Sequence, residues 1–184
     1  MKKKRILGID PGTNFMGYGV IDVEGEKYKL VSLGYVDLHK KEGHYNKLLH
    51  IHERVIGIIK SFTPDELAIE APFFGENVQS MLKLGRAQGA AIVAAMMSGL
   101  IVYEYSPRKI KLAITGNGNA SKEQVAYMLK SIFNIEVLPK KLDATDGLAV
   151  AFCHIVNGGN IPGNKKRGYS SWKDFAEKNK DRTT

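Results

Sequence analysis

The sequence is poor in cysteine and has no long apolar run. Among 184 residues Cys153 is the single cysteine, which excludes an intramolecular disulfide and a multi-cysteine zinc site and indicates a reducing compartment. The longest apolar stretch, residues 90–102, is interrupted by Ser98 and Gly99 and falls short of the ~18 residues that a membrane span needs. Only four uncharged residues precede Asp10 after the basic N-terminus, too few for a signal peptide. These absences predict a cytoplasmic protein without a membrane span.

The positive charge of the chain is concentrated at its two ends. The net charge is +8. Residues 2–5 are all basic, and residues 158–184 hold seven basic and three acidic side chains, whereas basic and acidic residues are equal in number between 6 and 157. This excess favours a polyanionic partner such as nucleic acid, although basic tails also serve solubility. Length and composition predict one globular domain over residues 1–157 and a mostly disordered basic tail over 158–184.

The order of apolar patterns along the chain predicts an α/β fold. Turn residues and apolar periodicity predict strands at 5–9, 17–22, 28–38, 66–70 and 101–105 and helices at 44–62, 77–98, 107–115, 121–133 and 143–157. The last-but-one helix begins with a capping-box pattern, Ser121 followed by Gln124. Three strands in a row followed by alternating helices and strands imply a mixed five-stranded sheet flanked by helices, with an antiparallel meander leading into parallel strands.

Four carboxylates lie in or next to apolar segments, where burying a charged side chain is unfavourable for folding. Asp10 and Glu70 each end an apolar strand, and Asp143 and Asp146 lie three apart on one face of an apolar helix. If the first and fourth strands are neighbours and the last helix packs beside them, all four side chains converge. Taken singly, each acid equally suits a turn, an exposed strand end or a helix cap.

A cleft with four carboxylates needs cations to balance their mutual repulsion. Oxygen ligands without Cys or His favour Mg²⁺ or Mn²⁺. Two such ions about 4 Å apart can activate a water molecule and stabilise the leaving oxygen in phosphodiester cleavage. The carboxylates therefore indicate metal-dependent hydrolysis of a phosphodiester.

The N-terminal glycine motif suits two families. Gly8-Ile-Asp-Pro-Gly-Thr13 followed by Gly17-Tyr-Gly19 is a strand, an acid and a glycine turn. It resembles the first phosphate loop of actin-like ATPases and sugar kinases, and equally the first metal-binding strand of ribonuclease H-like nucleases. The ATPase fold requires two duplicated domains and a second Asp-Gly-rich phosphate loop, and this sequence has neither. The nuclease interpretation is therefore preferred.

Four segments in order over residues 5–157 resemble the RuvC Holliday junction resolvases. They are Gly8–Val20, Ala68-Ile-Glu-Ala-Pro-Phe73, Lys83-Leu-Gly-Arg-Ala-Gln-Gly-Ala90 and Asp143-Ala-Thr-Asp-Gly-Leu-Ala149. The chain departs from the family pattern at Ala71-Pro72, where many relatives have Gln-Val, and in having a second aromatic residue at Phe74. The resemblance implies a ribonuclease H-like fold.

The resemblance also assigns roles to residues. The positions that match the family's catalytic, metal-binding carboxylates are Asp10, Glu70, Asp143 and Asp146. Lys111 and Lys122 match basic residues of its DNA groove, and Phe73 matches an aromatic residue that probes the junction centre. Phe74 is the alternative for that stacking role. Arg108 and Lys109, which precede the flexible 116–120 loop together with Lys111, are further candidates for phosphate contacts.

The activity implied by the resemblance is that of a homodimeric, Mg²⁺-dependent endonuclease in recombination and DNA repair. It nicks two strands of like polarity in a four-way junction and leaves 5′-phosphate and 3′-hydroxyl ends, with two Mg²⁺ ions per site and Mn²⁺ able to substitute. RuvA and RuvB, the branch-migration proteins, are the implied partners. Helix 77–98 is apolar or small around much of its circumference and is the candidate dimer interface. The alternatives are a related ribonuclease H-like nuclease acting on another branched or RNA-containing substrate, and a non-catalytic junction-binding protein.

Overall fold

A central sheet with helices on both faces forms the molecule in the computed structural model, which describes residues 3–72 and 77–158. The strands are β1 (Lys4–Asp10), β2 (Phe15–Glu24), β3 (Lys27–Asp37), β4 (Glu66–Glu70) and β5 (Ile101–Tyr105). The helices are α1 (His44–Phe62), α2 (Val78–Met97), α3 (Pro107–Thr115), α4 (Lys122–Ile132) and α5 (Asp143–Val156). Every predicted element is present, with ends that differ by at most two residues. Apart from Gly158, the predicted tail lies outside the described residues.

The sheet is mixed, as predicted. Its order is β3-β2-β1-β4-β5, in which β1, β2 and β3 pair antiparallel whereas β4 pairs parallel with both β1 and β5. The β1–β4 register pairs Ile9 with Ile69. Continued by one residue, this register places Asp10 beside Glu70 at one edge of the sheet.

Two apolar cores separate the sheet from its helices. Alternate residues of a strand point to opposite faces, so that Leu7 and Ile9 pack towards α1 and α2 while Ile6 packs towards α3, α4 and α5. Cys153 is fully buried in the second core, and burial raises the pKa of its thiol to about 11. None of the helices in the described part of the chain has the length and apolarity to cross a membrane.

Helix α5 lies unusually close to the sheet because glycines form the contact. A Cβ atom on Gly19 would lie 2.4 Å from Leu148 Cα, and one on Gly147 would lie 2.4 Å from Tyr18 Cα. At the end of α5 that carries the two aspartates, a Cβ atom on Gly17 would lie 1.9 Å from the main-chain oxygen of Asp143. Gly17 pairs with Asp10 in the β1–β2 ladder, so this contact brings the start of α5 to the end of β1.

A buried polar network ties α5 to the other end of the sheet. His154 Nδ1 lies 2.8 Å from the Tyr105 hydroxyl and Nε2 lies 2.8 Å from Glu66 Oε2, while Lys4 Nζ donates to Glu66 Oε1 at 2.5 Å. Burial lowers the pKa of His154. Burial alone would raise the pKa of Glu66, but the hydrogen bonds from Lys4 and His154 hold it below its ordinary value. The network thus fits a neutral His154 that donates to an ionised Glu66.

Replacing Glu66 with Gln is expected to destabilise the protein by roughly 1–3 kcal/mol, because a buried hydrogen bond to a charged acceptor is lost. Urea denaturation at pH 7 measures the free energy of unfolding. The control is Glu53→Gln, since the Glu53 side chain is 60% exposed and its His50 partner is 3.8 Å away; we expect a change within about 0.5 kcal/mol. Equal stability of the Glu66 variant and the wild type would contradict the role given to this network.

Three basic residues near the N-terminus, Lys3, Lys4 and Arg5, are engaged in ion pairs within the fold. Lys3 Nζ lies 2.9 Å from Asp22, and the Arg5 guanidinium bonds Asp22 at 2.6 Å and the Phe62 carbonyl at 2.6 Å. The pKa of Asp22 is lowered to about 2, and the hydrogen bond from Arg5 is the largest cause of this shift. With Lys4 held by Glu66, Lys3, Lys4 and Arg5 serve the fold, and their charge is largely neutralised by acidic partners.

Candidate active site

One cleft receives side chains from five elements of the fold, β1, β4, α3, α4 and α5. Asp10 ends β1, Glu70 ends β4 and Asp146 lies in the first turn of α5, so each acid stands where an element begins or ends. Lys111 of α3 and Lys122 of α4 face the same cleft. Apolar side chains complete the lining, namely Pro107, Ile110, Val125 and Ala149.

The fourth predicted acid, Asp143, joins this group through Lys122. Lys122 Nζ lies 2.6 Å from Asp146 Oδ2 and 3.9 Å from Asp143 Oδ1. One ammonium group therefore bridges the two aspartates that the sequence places three apart on α5. The structure brings together all four acids that the sequence singled out.

Burial and mutual repulsion shift the pKa values of these acids upward. Burial, followed by the charges of Glu70 and Asp146, raises the pKa of Asp10 well above its ordinary value. Burial and the charge of Asp146 raise the pKa of Glu70 to about 7. Burial also raises the pKa of Asp146, and the hydrogen bond from Lys122 opposes that shift. The cluster concentrates more negative charge than Lys111 and Lys122 balance.

The donor chemistry of the cleft fits a hard divalent cation. Its ligand atoms would all be carboxylate oxygens, the type that Mg²⁺ and Mn²⁺ prefer. Within residues 3–72 and 77–158, no three His, Cys, Asp or Glu side chains are spaced as a complete ligand set, and Lys122 supplies the nearest positive charge to Asp146. The residues that would hold a cation are Asp10, Glu70, Asp143 and Asp146.

The predicted DNA-contacting residues divide into three groups. Lys111 and Lys122 line the cleft beside the acids. Arg108 instead packs against Gly118, and Lys109 Nζ lies 5.0 Å from the centre of the Tyr105 ring, so neither contributes to the cleft lining. Phe73 and Phe74 lie outside the described residues.

Two polar side chains that the sequence analysis did not select contact the backbone next to the acids. Lys47 Nζ donates to the Thr13 carbonyl at 3.0 Å, on the turn that follows Asp10. Gln88 Nε2 donates to the main-chain oxygen of Glu70 at 3.3 Å. Gln88 is a polar residue on a face of α2 otherwise buried through alanines, and that pattern is visible in the sequence. Lys47 carries no such signal, because its partner lies 34 positions away.

The raised pKa of Glu70 predicts a pH-dependent stability. A carboxyl group whose pKa is about 7 in the folded state and 4.5 ordinarily binds its proton more tightly when folded. Its stabilising contribution is full below pH 4.5 and is lost as the pH rises to about 7. In EDTA, the stability of Glu70→Gln relative to wild type should therefore increase between pH 4.5 and 7.5, by on the order of 1–3 kcal/mol.

Urea denaturation at several pH values in EDTA measures this difference. The exposed Glu53→Gln variant serves as the control, and its difference from wild type should not follow the same curve. A difference for Glu70→Gln that is independent of pH would contradict the buried, mutually repelling carboxylates described above.

Comparison with known proteins identifies the family. The family model described as "Crossover junction endodeoxyribonuclease RuvC" matches residues 6–154. A curated relative of that name from Bacteroides fragilis is 59% identical, and the alignment covers 99% of this chain and 97% of the relative. The solved structure "T. thermophilus RuvC in complex with Holliday junction substrate" is 35% identical with a TM-score of 0.77, covering 84% of this chain and 94% of the other.

A more distant neighbour supports the fold alone. The yeast mitochondrial Holliday junction resolvase Ydc2 has a TM-score of 0.60 at 14% identity, covering 83% of this chain and 78% of its own. The mixed five-stranded sheet with helices on both faces is accordingly the predicted α/β, ribonuclease H-like fold. All four acids lie within the matched residues 6–154. The chain belongs to the RuvC family of crossover junction endodeoxyribonucleases.

Proposed function

We propose that this nuclease resolves four-way DNA junctions by nicking two strands of like polarity, one at each active site of a homodimer. The observation that carries the proposal is the convergence of Asp10, Glu70 and Asp146 with Lys111 and Lys122 in one cleft. Two divalent ions, Mg²⁺ or in its place Mn²⁺, would supply an activated water and stabilise the leaving 3′ oxygen, which yields 5′-phosphate ends. A chromosomal junction as substrate corresponds to a cytoplasmic location.

The positions of the four acids suggest which of them would coordinate one ion and which would coordinate both. Asp10 lies between the other strand-borne acid and α5, since it neighbours Glu70 across the β1–β4 register and Gly17, which touches Asp143, across the β1–β2 ladder. That central position suits a ligand shared by both ions. Glu70 on one side and the two aspartates of α5 on the other complete the coordination.

Two lysines supply positive charge for the scissile strand. The Lys122 side chain is 56% exposed, although its ammonium group bonds Asp146. An exposed lysine on a flexible stem can exchange a carboxylate partner for a DNA phosphate at little cost. Lys111 lines the same cleft from α3, so the two lysines approach a bound strand from neighbouring helices.

A second basic group lies where α1 meets α2. Lys47 borders the turn after Asp10. Burial is the main cause of the lowered pKa of His44, and the nearby charges of Arg86 and Lys83 lower that pKa further. These side chains extend positive charge from the cleft towards α2. We assign to them non-specific contacts with the phosphates of a junction arm.

Dimerisation is proposed through α2. Its exposed apolar residues include Val78, Leu82, Val93, Met96 and Met97. A large apolar surface on one helix is typical of a protein interface, and a two-fold junction requires two active sites. Size-exclusion chromatography with light scattering should give twice the monomer mass; a monomer at micromolar concentration would exclude the paired-nick mechanism. RuvA and RuvB remain proposed partners by family resemblance.

Phe73 is proposed to stack on unpaired bases at the junction centre. Its segment begins beside the site, because Ala71 N donates to the Tyr105 carbonyl directly after Glu70. Removing one stacking partner costs about 1–3 kcal/mol, so Phe73→Ala should reduce junction cleavage by roughly tenfold or more. Single-turnover cleavage of a labelled junction measures this. If only Phe74→Ala reduces the rate, Phe74 is the stacking residue.

The proposed division into a nuclease domain at 1–157 and a basic tail at 158–184 is tested by truncation. Deleting residues 158–184 should leave cleavage activity intact and reduce the dependence of junction affinity on salt, because fewer phosphates are neutralised. Fluorescence anisotropy at several salt concentrations measures that slope. An unchanged slope would mean that the tail makes no electrostatic contact with DNA.

One experiment tests the function as a whole. Labelled four-way junction, duplex and RNA–DNA hybrid are incubated with the protein, with and without Mg²⁺. Symmetric nicks in the junction, with Mg²⁺ only, are the expected result. Preferential cleavage of the hybrid would favour the alternative ribonuclease H-like activity, and junction binding without cleavage of any substrate would indicate a non-catalytic binding protein.

A further inference from the structure

Gln88 is a buried polar residue for which the chemistry of the cleft gives no role. It is 8% exposed and lies on the face of α2 that also buries Ala87, Ala91 and Ala94. A buried amide is costly unless it is hydrogen-bonded. Its position in the Lys83–Ala90 segment, one of the four that resemble the family, calls for a physical explanation.

The side-chain amide nitrogen of Gln88 donates hydrogen bonds to two oxygen atoms that cannot donate in return. Nε2 lies 2.8 Å from Glu104 Oε2 on β5 and 3.3 Å from the main-chain oxygen of Glu70. Because both partners can only accept, they determine which end of the amide is the nitrogen. The charged Glu104 provides the stronger of the two bonds and anchors the amide, which leaves the second N–H aimed at Glu70.

The Glu70 carbonyl lies where β4 leaves the sheet. Pairing with β1 extends to Ile9 and Ile69, and on the other side Ala71 N donates to the Tyr105 carbonyl. Strand β4 ends at Glu70. The peptide that carries Glu70 is therefore the last one of the strand, and Gln88 fixes it from a neighbouring helix.

We propose that Gln88 is a positioning residue that orients the terminal peptide of β4 so that the Glu70 carboxylate faces Asp10 and Asp146. This inference rests on the proposed function of the cleft. It also links the position of Glu70 to α2, the candidate dimer helix. A displacement of about 1 Å at a catalytic group can cost about a hundredfold in rate, so loss of this hydrogen bond should act mainly on kcat.

The primary test is Gln88→Leu, which keeps a similar side-chain size in an apolar setting and removes both donors. We expect kcat for junction cleavage to fall roughly 10–100-fold, with KM and metal-free junction affinity within about threefold of wild type. A folded variant with unchanged kcat would overturn the proposal. An equal loss of junction affinity in EDTA would also overturn it, because the residue would then serve DNA binding.

The swapped double variant Gln88→Glu with Glu104→Gln separates positioning from stability. It restores a bond between residues 88 and 104 and leaves the Glu70 carbonyl without its donor. The proposal predicts recovered stability in urea and a kcat that remains low; recovery of both would mean that Gln88 serves stability alone. Glu53→Gln, at the exposed α1 position, leaves both Gln88 hydrogen bonds in place and should cleave at the wild-type rate within about threefold. If the wild type does not cleave the junction either, the proposed function is contradicted. If only the Gln88 variants fail to cleave it, the positioning role is supported.

Discussion

Replacing Asp10 with Asn is expected to reduce junction cleavage by at least about a thousandfold while junction binding stays intact or becomes tighter. The proposed ions stabilise the transition state by several kcal/mol, and each 1.4 kcal/mol or so corresponds to a factor of ten in rate. Asp10 is the acid that neighbours all the others, so its loss affects every proposed metal contact. Binding is spared because the substitution removes a negative charge from a surface that faces phosphates.

Single-turnover cleavage of a labelled junction in Mg²⁺ measures the rate, and fluorescence anisotropy in EDTA measures binding. The matched control is Asp37→Asn, since Asp37 lies at the end of β3 and pairs with His39 outside the cleft. Its cleavage rate should equal that of the wild type. Full activity in Asp10→Asn would reject the assignment of the carboxylates as metal ligands.

Replacing Gly19 with Ala is expected to destabilise the protein by about 3 kcal/mol or more, which is the upper range for overpacked cores. The new Cβ would lie 2.4 Å from Leu148 Cα and 2.7 Å from Leu148 N. Both are backbone atoms, so a change of rotamer cannot relieve the clash. Helix α5 would have to move away from the sheet, and Asp143 and Asp146 would move with it.

Urea denaturation measures the loss of stability, and cleavage assays below the denaturation midpoint measure the displacement of α5. Gly57→Ala is the matched control, because Gly57 lies inside α1 and its Cβ would meet nothing within 4 Å. That substitution should stabilise the protein by about 0.5–1 kcal/mol. A cost below about 1 kcal/mol for Gly19→Ala would contradict the close approach of α5.

Local features of the fold are readable from the sequence. The helix predicted at 107–115 has those bounds in the structure, because Ser106 caps it, Pro107 starts it and Gly116 ends it in a left-handed conformation. The Ser121–Gln124 capping box is present as predicted. These determinants lie within a few residues of each other, so they require no tertiary contact.

Contacts between distant segments are different. His154 gave no usable signal, yet it bonds Glu66, 88 positions away, and Tyr105, 49 positions away. The partner of Gln88 at Glu70 likewise follows only from the packing of α2 against the end of β4. No local pattern encodes which buried polar groups meet, because that depends on how the layers stack.

The sequence by itself determined the order of strands and helices, the placement of Asp10, Glu70, Asp143 and Asp146 at the ends of elements, and the family. Apolar periodicity, turn residues and strand-ending acids are short-range properties, so they can be read from the sequence without a structure. Only the tertiary structure decided that Lys3, Lys4 and Arg5 are held in ion pairs and that Lys122 joins Asp143 to Asp146. It also decided that Lys111 and Lys122 line the cleft whereas Arg108 and Lys109 contact Gly118 and Tyr105 instead. The sequence shows how many basic side chains the protein has. The distance from each basic side chain to an acidic one decides which of them remain available to bind DNA.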